Sequence, residues 1–221
     1  GQSVTVSGIV TSDGNLGIVR YLQDESAGIA LYPGGEWSSL GFADPQPGDA
    51  LTMTAVLSEY NGLLEVGPDD ITQVDVTSVG NPLPEAQTVT PAQLDESMEG
   101  EIAYIEGVVF TNGGSMITGN STFSFSANGE DGIIYVRNDN ELVGLVLPAG
   151  EVNLYGIVSQ FSFDGFGGYQ LLPRGSADLI PTSAINLSTQ VDQINLTTTS
   201  FDLTWSTDVL GDSHVEYGLT P

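Results

Sequence analysis

Ala55-Val56-Leu57-Ser58-Glu59-Tyr60, running on through Leu63-Leu64 to Asp70-Ile71, recurs as Gly156-Ile157-Val158-Ser159-Gln160-Phe161, running on through Leu171-Leu172 to Asp178-Leu179. Outward from these stretches, residues 3–71 and 101–179 align as strand, turn and strand. A chain that states one pattern twice is built from two copies of one unit, so its 221 residues divide into small domains. Each unit of about 80 residues buries only a modest core.

The units read as β throughout. Val4, Val6, Gly8 and Val10 alternate with Thr5, Ser7 and Ile9, and Leu51, Met53, Ala55 and Leu57 alternate with Thr52, Thr54 and Val56. A period of two rich in β-branched residues marks a sheet with one face buried. Asp13-Gly14-Asn15, Pro47-Gly48-Asp49, Asn61-Gly62, Asn128-Gly129 and Asp164-Gly165 are turn chemistry between the runs. Strands are predicted near 3–11, 17–24, 28–32, 50–60 and 63–66, and again near 101–111, 121–127, 132–137, 151–161 and 168–173. Five strands, with Gly8 and Gly107 inside a long first strand that must coil sharply, describe a five-stranded Greek-key barrel. The fold class is therefore all-β, two tandem barrels followed by a partial β-sandwich tail.

Residues 1–78 form the first barrel, 79–93 a stiff linker with Pro82, Pro84 and Pro91, 94–181 the second barrel, and 182–221 the tail. Thr90-Pro91-Ala92-Gln93-Leu94 predicts an N-cap, a first-turn proline and a short helix. In the tail, Ser200-Phe201-Asp202-Leu203-Thr204-Trp205 and Ser213-His214-Val215-Glu216-Tyr217 read as opening strands of a sandwich. A sandwich needs about 100 residues to close, so a longer polypeptide is expected.

Charge narrows the partners. Three Lys+Arg against 29 Asp+Glu give a formal net charge of −26, and the cations are Arg20, Arg137 and Arg174. A nucleic-acid backbone calls for clustered Lys and Arg, and anionic lipid headgroups call for the same. Saccharide or protein ligands fit this coat better. No apolar run approaches the roughly 20 residues of a membrane-spanning helix, so membrane insertion is not expected. High acidity suits solubility in salt, which points to a marine or halophilic source, and calcium capture by clustered carboxylates is the competing explanation. The chain has no cysteine, so neither a disulfide framework nor a thiolate metal site is on offer.

The first unit, at Val4-x-Val6-x-Gly8-Ile9-Val10, Tyr21-Leu22-Gln23-Asp24, Gly28-Ile29-Ala30-Leu31-Tyr32, Gly48-Asp49 and Val66, resembles the OB-fold-like domains of secreted bacterial surface proteins. That resemblance implies a secreted or cell-surface location and an accessory role beside extracellular nucleases or phosphoesterases. It also implies a second reading, a nucleic-acid-binding appendage of such an enzyme. In the second unit the Gln-Asp and Gly-Ile-Ala-Leu-Tyr pieces become Phe125-Ser126-Ala127-Asn128-Gly129 and Gly132-Ile133-Ile134-Tyr135-Val136, so no shared ligand site is implied there. The tail from Phe201 onward resembles the opening of a fibronectin type III domain.

Candidate chemistry is sparse, and the fragment is read as non-enzymatic. The one histidine, His214, has no cysteine to activate and lies in the tail. Asp139 and Glu141, with Asp69 and Asp70, are the acid pairs that could contribute to a calcium site, yet none follows a calcium-loop spacing. The sharpest feature is Phe161-Ser162-Phe163-Asp164-Gly165-Phe166-Gly167-Gly168-Tyr169, between the last two strands of the second unit. Phe161, Phe163, Phe166 and Tyr169 either stack a ligand or complete the core and the contact between barrels. Arg20, Tyr21, Tyr32 and Trp37 form a second candidate, on the face of the first barrel expected to bind a ligand.

Overall fold

The computed structural model describes residues 1–182, 192–195, 197, 199–200 and 202–206. In the first unit β1 (Ser3–Val10), β2 (Arg20–Gln23), β3 (Gly28–Leu31), β4 (Ala50–Tyr60) and β5 (Leu63–Val66) run in the order β1-β2-β3-β5-β4, and β4 returns to β1. β3 and β5 are parallel and the other pairs antiparallel, which is the circuit of an OB barrel. Val10, Leu22, Leu31, Leu51, Met53, Ala55 and Val66 fill it, with Trp37 packed in from the loop before β4. A strand that the sequence reading did not draw, β6 (Gln73–Ser78), extends the sheet antiparallel to β4.

β7 (Gln87–Thr88) in the linker runs parallel to β8 (Ile102–Phe110). With β9 (Ser121–Ala127), β10 (Glu130–Val136), β11 (Val152–Gln160) and β12 (Tyr169–Leu172), β8 repeats the circuit as β8-β9-β10-β12-β11, closed by β11 on β8. β13 (Leu179–Pro181) lies on β11. Gly107 sits at φ 67°, beside an irregular register of β8 on β11 near Val152. A positive φ there lets the strand coil around the barrel, which a β-branched residue would resist. The predicted helix after Thr90 is a single 3-10 turn, Pro91–Gln93, with the Thr90 amide donating to Gln93 Oε1 at 2.8 Å. Of the tail, β14 (Asp192–Ile194) and β15 (Asp202–Thr204) form a two-stranded antiparallel pair. Phe201, His214 and the second predicted tail strand lie outside the described residues.

The two barrels are pressed together over a third core. Leu16, Tyr21, Ala30 and Leu63 of the first meet Ile102, Ile157 and Leu172 of the second, all buried. Consequently β2 is buried along its whole length instead of alternating, because one face looks into its own barrel and the other into its neighbour. The C-terminal half of β11 is buried on both faces too. Backbones approach closely at Gly28 and Gly100, where a Cβ on either would overlap the other's main chain. Hydrogen bonds cross the seam from the Tyr21 hydroxyl to Ser159 Oγ (3.0 Å), from the Ile102 amide to Gln23 Oε1 (3.0 Å), and from the Glu141 amide to Asn15 Oδ1 (3.1 Å). Apolar burial at about 1.5–3 kcal/mol per large side chain makes this a strong joint.

Candidate functional site

The β4–β5 hairpin of the first barrel turns at Asn61-Gly62, and the corresponding β11–β12 connection of the second carries the aromatic loop. Docking places the two tips side by side. The Ser162 amide donates to the Asn61 carbonyl at 2.6 Å, and Gly62 lies against the end of the Gln160 side chain, which a Cβ there would displace. Gly165 lies beside Glu59, whose Oε1 would stand 3.6 Å from a Cβ there.

This composite tip carries an aromatic ridge open to solvent. Phe163 is 90% exposed, Phe166 83%, Tyr60 61% and Phe161 46%. The Phe161 and Phe163 rings meet edge to face with centroids 5.3 Å apart. Large apolar side chains this exposed contribute little to folding, and contiguous patches of them mark contact surfaces.

The loop is ordered from within. Ser162 Oγ donates to Asp164 Oδ1 (2.6 Å), the Phe166 amide donates to the same oxygen (3.2 Å), and Gln160 Nε2 holds the Gly167 carbonyl (2.7 Å). The Phe161 amide reaches back to the Gly168 carbonyl at 3.0 Å. Gly165, Gly167 and Gly168 all adopt positive φ, which this closely folded loop requires. Donation from Ser162, and then from the Phe166 amide, holds the Asp164 carboxyl below its ordinary range, so it stays charged. Asp164→Ala is expected to speed amide exchange at Phe166 several-fold while leaving the global melting temperature unchanged, a local effect that hydrogen exchange reads directly.

Tyr169 belongs to the base of the ridge. It packs against the second barrel's core, and its hydroxyl donates to Glu96 Oε2 at 2.9 Å. Desolvation, reinforced by that carboxylate, pushes the phenol up to about 12. Of the four aromatics predicted in this loop, then, three are exposed and one anchors them.

The second predicted group sits elsewhere. Arg20 is 2% exposed, and its guanidinium donates to the carbonyls of Pro45, Asp13, Gly17 and Val19 while pairing with Asp44. Tyr21 is buried in the seam, where desolvation raises its phenol strongly despite the hydrogen bond to Ser159. Trp37 is core, with its indole N–H on the Ile18 carbonyl at 2.7 Å. Tyr32 is half-buried, with its amide on the Val66 carbonyl. Of this group Tyr21 lies in the contact between the barrels, whereas Arg20 and Trp37 are held within the first barrel by its own carbonyls and core. A cleft of about 320 Å³ remains beside Arg20, Trp37 and Asp139, but its arginine is already saturated.

The acidic candidates are dispersed. Glu141 Oε1 is occupied by the Ser176 amide and hydroxyl, Asp139 is exposed, and Asp69-Asp70 form an exposed turn with Asp70 at φ 50°. Among the described residues no group of three His, Cys, Asp or Glu side chains is placed to hold a metal ion, and no helix is long and apolar enough to cross a membrane. A second cleft, of about 540 Å³, lies between β1 and the proline linker and is lined by Asp24, Glu25, Glu85 and Glu101. Asp24 is spent on Ser26 and Ala27, and Glu101 on Gln87.

Sequence reasoning missed one polar cluster. Glu65 of β5 is buried and Glu99 half-buried, and desolvation lifts each carboxyl to about 7. Arg137 attracts Glu65, whereas Glu99 repels it. Glu99 Oε1 accepts the Leu64 amide at 2.9 Å, and its Oε2 is buried without a hydrogen-bond partner, as is Arg137 Nε. Such residues look like surface acids in the sequence, and only the docked geometry buries them.

No protein-family model matches the chain, and no curated protein matches it. Among solved structures, one described as "Molecular basis for abrogation of activation of pro-inflammatory cytokines" is 13% identical over 77% of this chain and 88% of its own, at a TM-score of 0.37. Similarity at that level carries no functional inference.

Proposed function

We propose that this chain is a non-catalytic contact module of an exported bacterial protein, a docked pair of barrels that presents the aromatic ridge to a saccharide or a protein. One observation carries the reading. Phe161, Phe163, Phe166 and Tyr60 are held out in water on two adjoining tips whose backbone is fixed by hydrogen bonds. A pre-ordered aromatic surface loses little entropy on binding, and stacking against sugar faces or side chains is what such rings do well. The seam supports a spacer role as well, since it makes two small barrels behave as one body. Against the nucleic-acid alternative stands the placement of the three arginines: Arg20 and Arg174 are paired with Asp44 and Asp178, and Arg137 abuts Gly17 at the seam.

The test is a screen of neutral glycans and of proteins against the wild type and a Phe163→Ser/Phe166→Ser double variant. Binding that the double variant loses supports the reading, and binding that it keeps overturns it. Titration with single-stranded DNA at about 50 and about 200 mM salt is expected to show no salt-dependent binding, and a steep salt response would favour the alternative.

A further inference from the structure

We propose that the ridge takes a cationic polypeptide segment, with Lys or Arg side chains laid over the exposed rings and their charges met by the carboxylates at the rim. This rests on the reading of the ridge as a contact surface and names its partner. Phe163 and Phe166 are the most exposed rings, and an aromatic face attracts a guanidinium or ammonium within about 6 Å of its centroid.

Three carboxylates are placed around them by separate contacts. Asp164 lies inside the loop and stays ionised through its hydrogen bonds, Glu59 borders Gly165, and Glu96 receives the Tyr169 hydroxyl at the base. The three arginines are engaged elsewhere, at Asp44, at Asp178 and against Gly17. The full charge of −26 adds a long-range field that draws cations in and turns polyanions away. A neutral saccharide would use the rings and leave the rim carboxylates idle. A polypeptide bearing Arg or Lys uses both.

The probe is a short peptide of alternating Arg and Gly, compared with its Asp-Gly counterpart and with a neutral oligosaccharide, each titrated against the whole chain by calorimetry at low and moderate salt. The Arg peptide is expected to bind, to weaken with salt, and to lose about tenfold in affinity in Phe163→Ala/Phe166→Ala. Glu59→Gln is expected to weaken it as well. Asp69→Asn/Asp70→Asn, which removes two charges at the far end of β5, is expected to leave it unchanged. Equal losses in both charge variants, or an Arg peptide indifferent to the phenylalanines, would mean diffuse attraction and overturn the proposal. Binding of the saccharide alone, lost with the phenylalanines, would overturn the cationic partner and keep the contact surface. Indifference of all three probes to the ridge variants would overturn both.

Discussion

Gly28→Val is expected to force the barrels apart and to cost about 3–5 kcal/mol, splitting one thermal transition into two of lower melting temperature. The new side chain would fall on the main chain of Gly100, and both partners in that contact are backbone, so no flexible group can move aside. Relief comes only by displacing β3 from the start of β8. That exposes Leu16, Tyr21, Ala30 and Leu63 to water and breaks the Tyr21–Ser159 and Gln23–Ile102 hydrogen bonds. Calorimetry of the variant beside the wild type reads the effect. A single transition at the wild-type temperature would show that the close approach does not hold the joint.

The second large effect is pH-dependent and centres on Glu99. Its carboxyl stands at about 7, raised by desolvation and by Glu96 and Glu59, against an ordinary value of 4.5. Below about 4.5 the acid is neutral in folded and unfolded chains alike, so its burial carries no electrostatic penalty. As pH rises through 7 the folded protein must ionise a partly buried carboxyl beside Glu65, and that part of the stability is lost. Glu99→Gln keeps an oxygen for the Leu64 amide and removes the charge. It is expected to stabilise the protein at pH 8 by on the order of 1–2 kcal/mol, after discounting for solvent screening, and to change nothing at pH 4.5. Urea denaturation at the two pH values separates this from a uniform packing effect, which would shift both midpoints together.

The barrels were legible because their causes are local. Alternation in β1 and β4, and the glycines and asparagines at the turns, act over a few residues, and the predicted strands fall on the observed ones to within a few positions. β6 escaped although Val74 and Val76 alternate with polar neighbours, because a single edge strand after a turn looks like the beginning of a linker. The aromatic loop stands out as four aromatics among glycines between two strands, but in sequence it suits a ligand face and a core equally well, and only the exposure of Phe161, Phe163 and Phe166 separates the two. What stayed hidden was docking. Leu16, Ala30 and Ile102 read as ordinary core residues, and Arg20, Tyr21 and Trp37 belong to types that serve a ligand face and a buried joint equally well. Tyr21 and Gln23 beside the inward Leu22 make β2 apolar or hydrogen-bonded on both sides, and that pattern, with Gly28 following, was the available signal.

Everything proposed for the ridge depends on two barrels moving as one, since Tyr60 comes from the first and the phenylalanines from the second. Residual dipolar couplings from backbone amides of residues 1–182 test this most directly. A single alignment tensor fitting β1–β5 and β8–β12 together is the predicted result, whereas two tensors of different orientation or magnitude would contradict the docked body and dissolve the ridge with it.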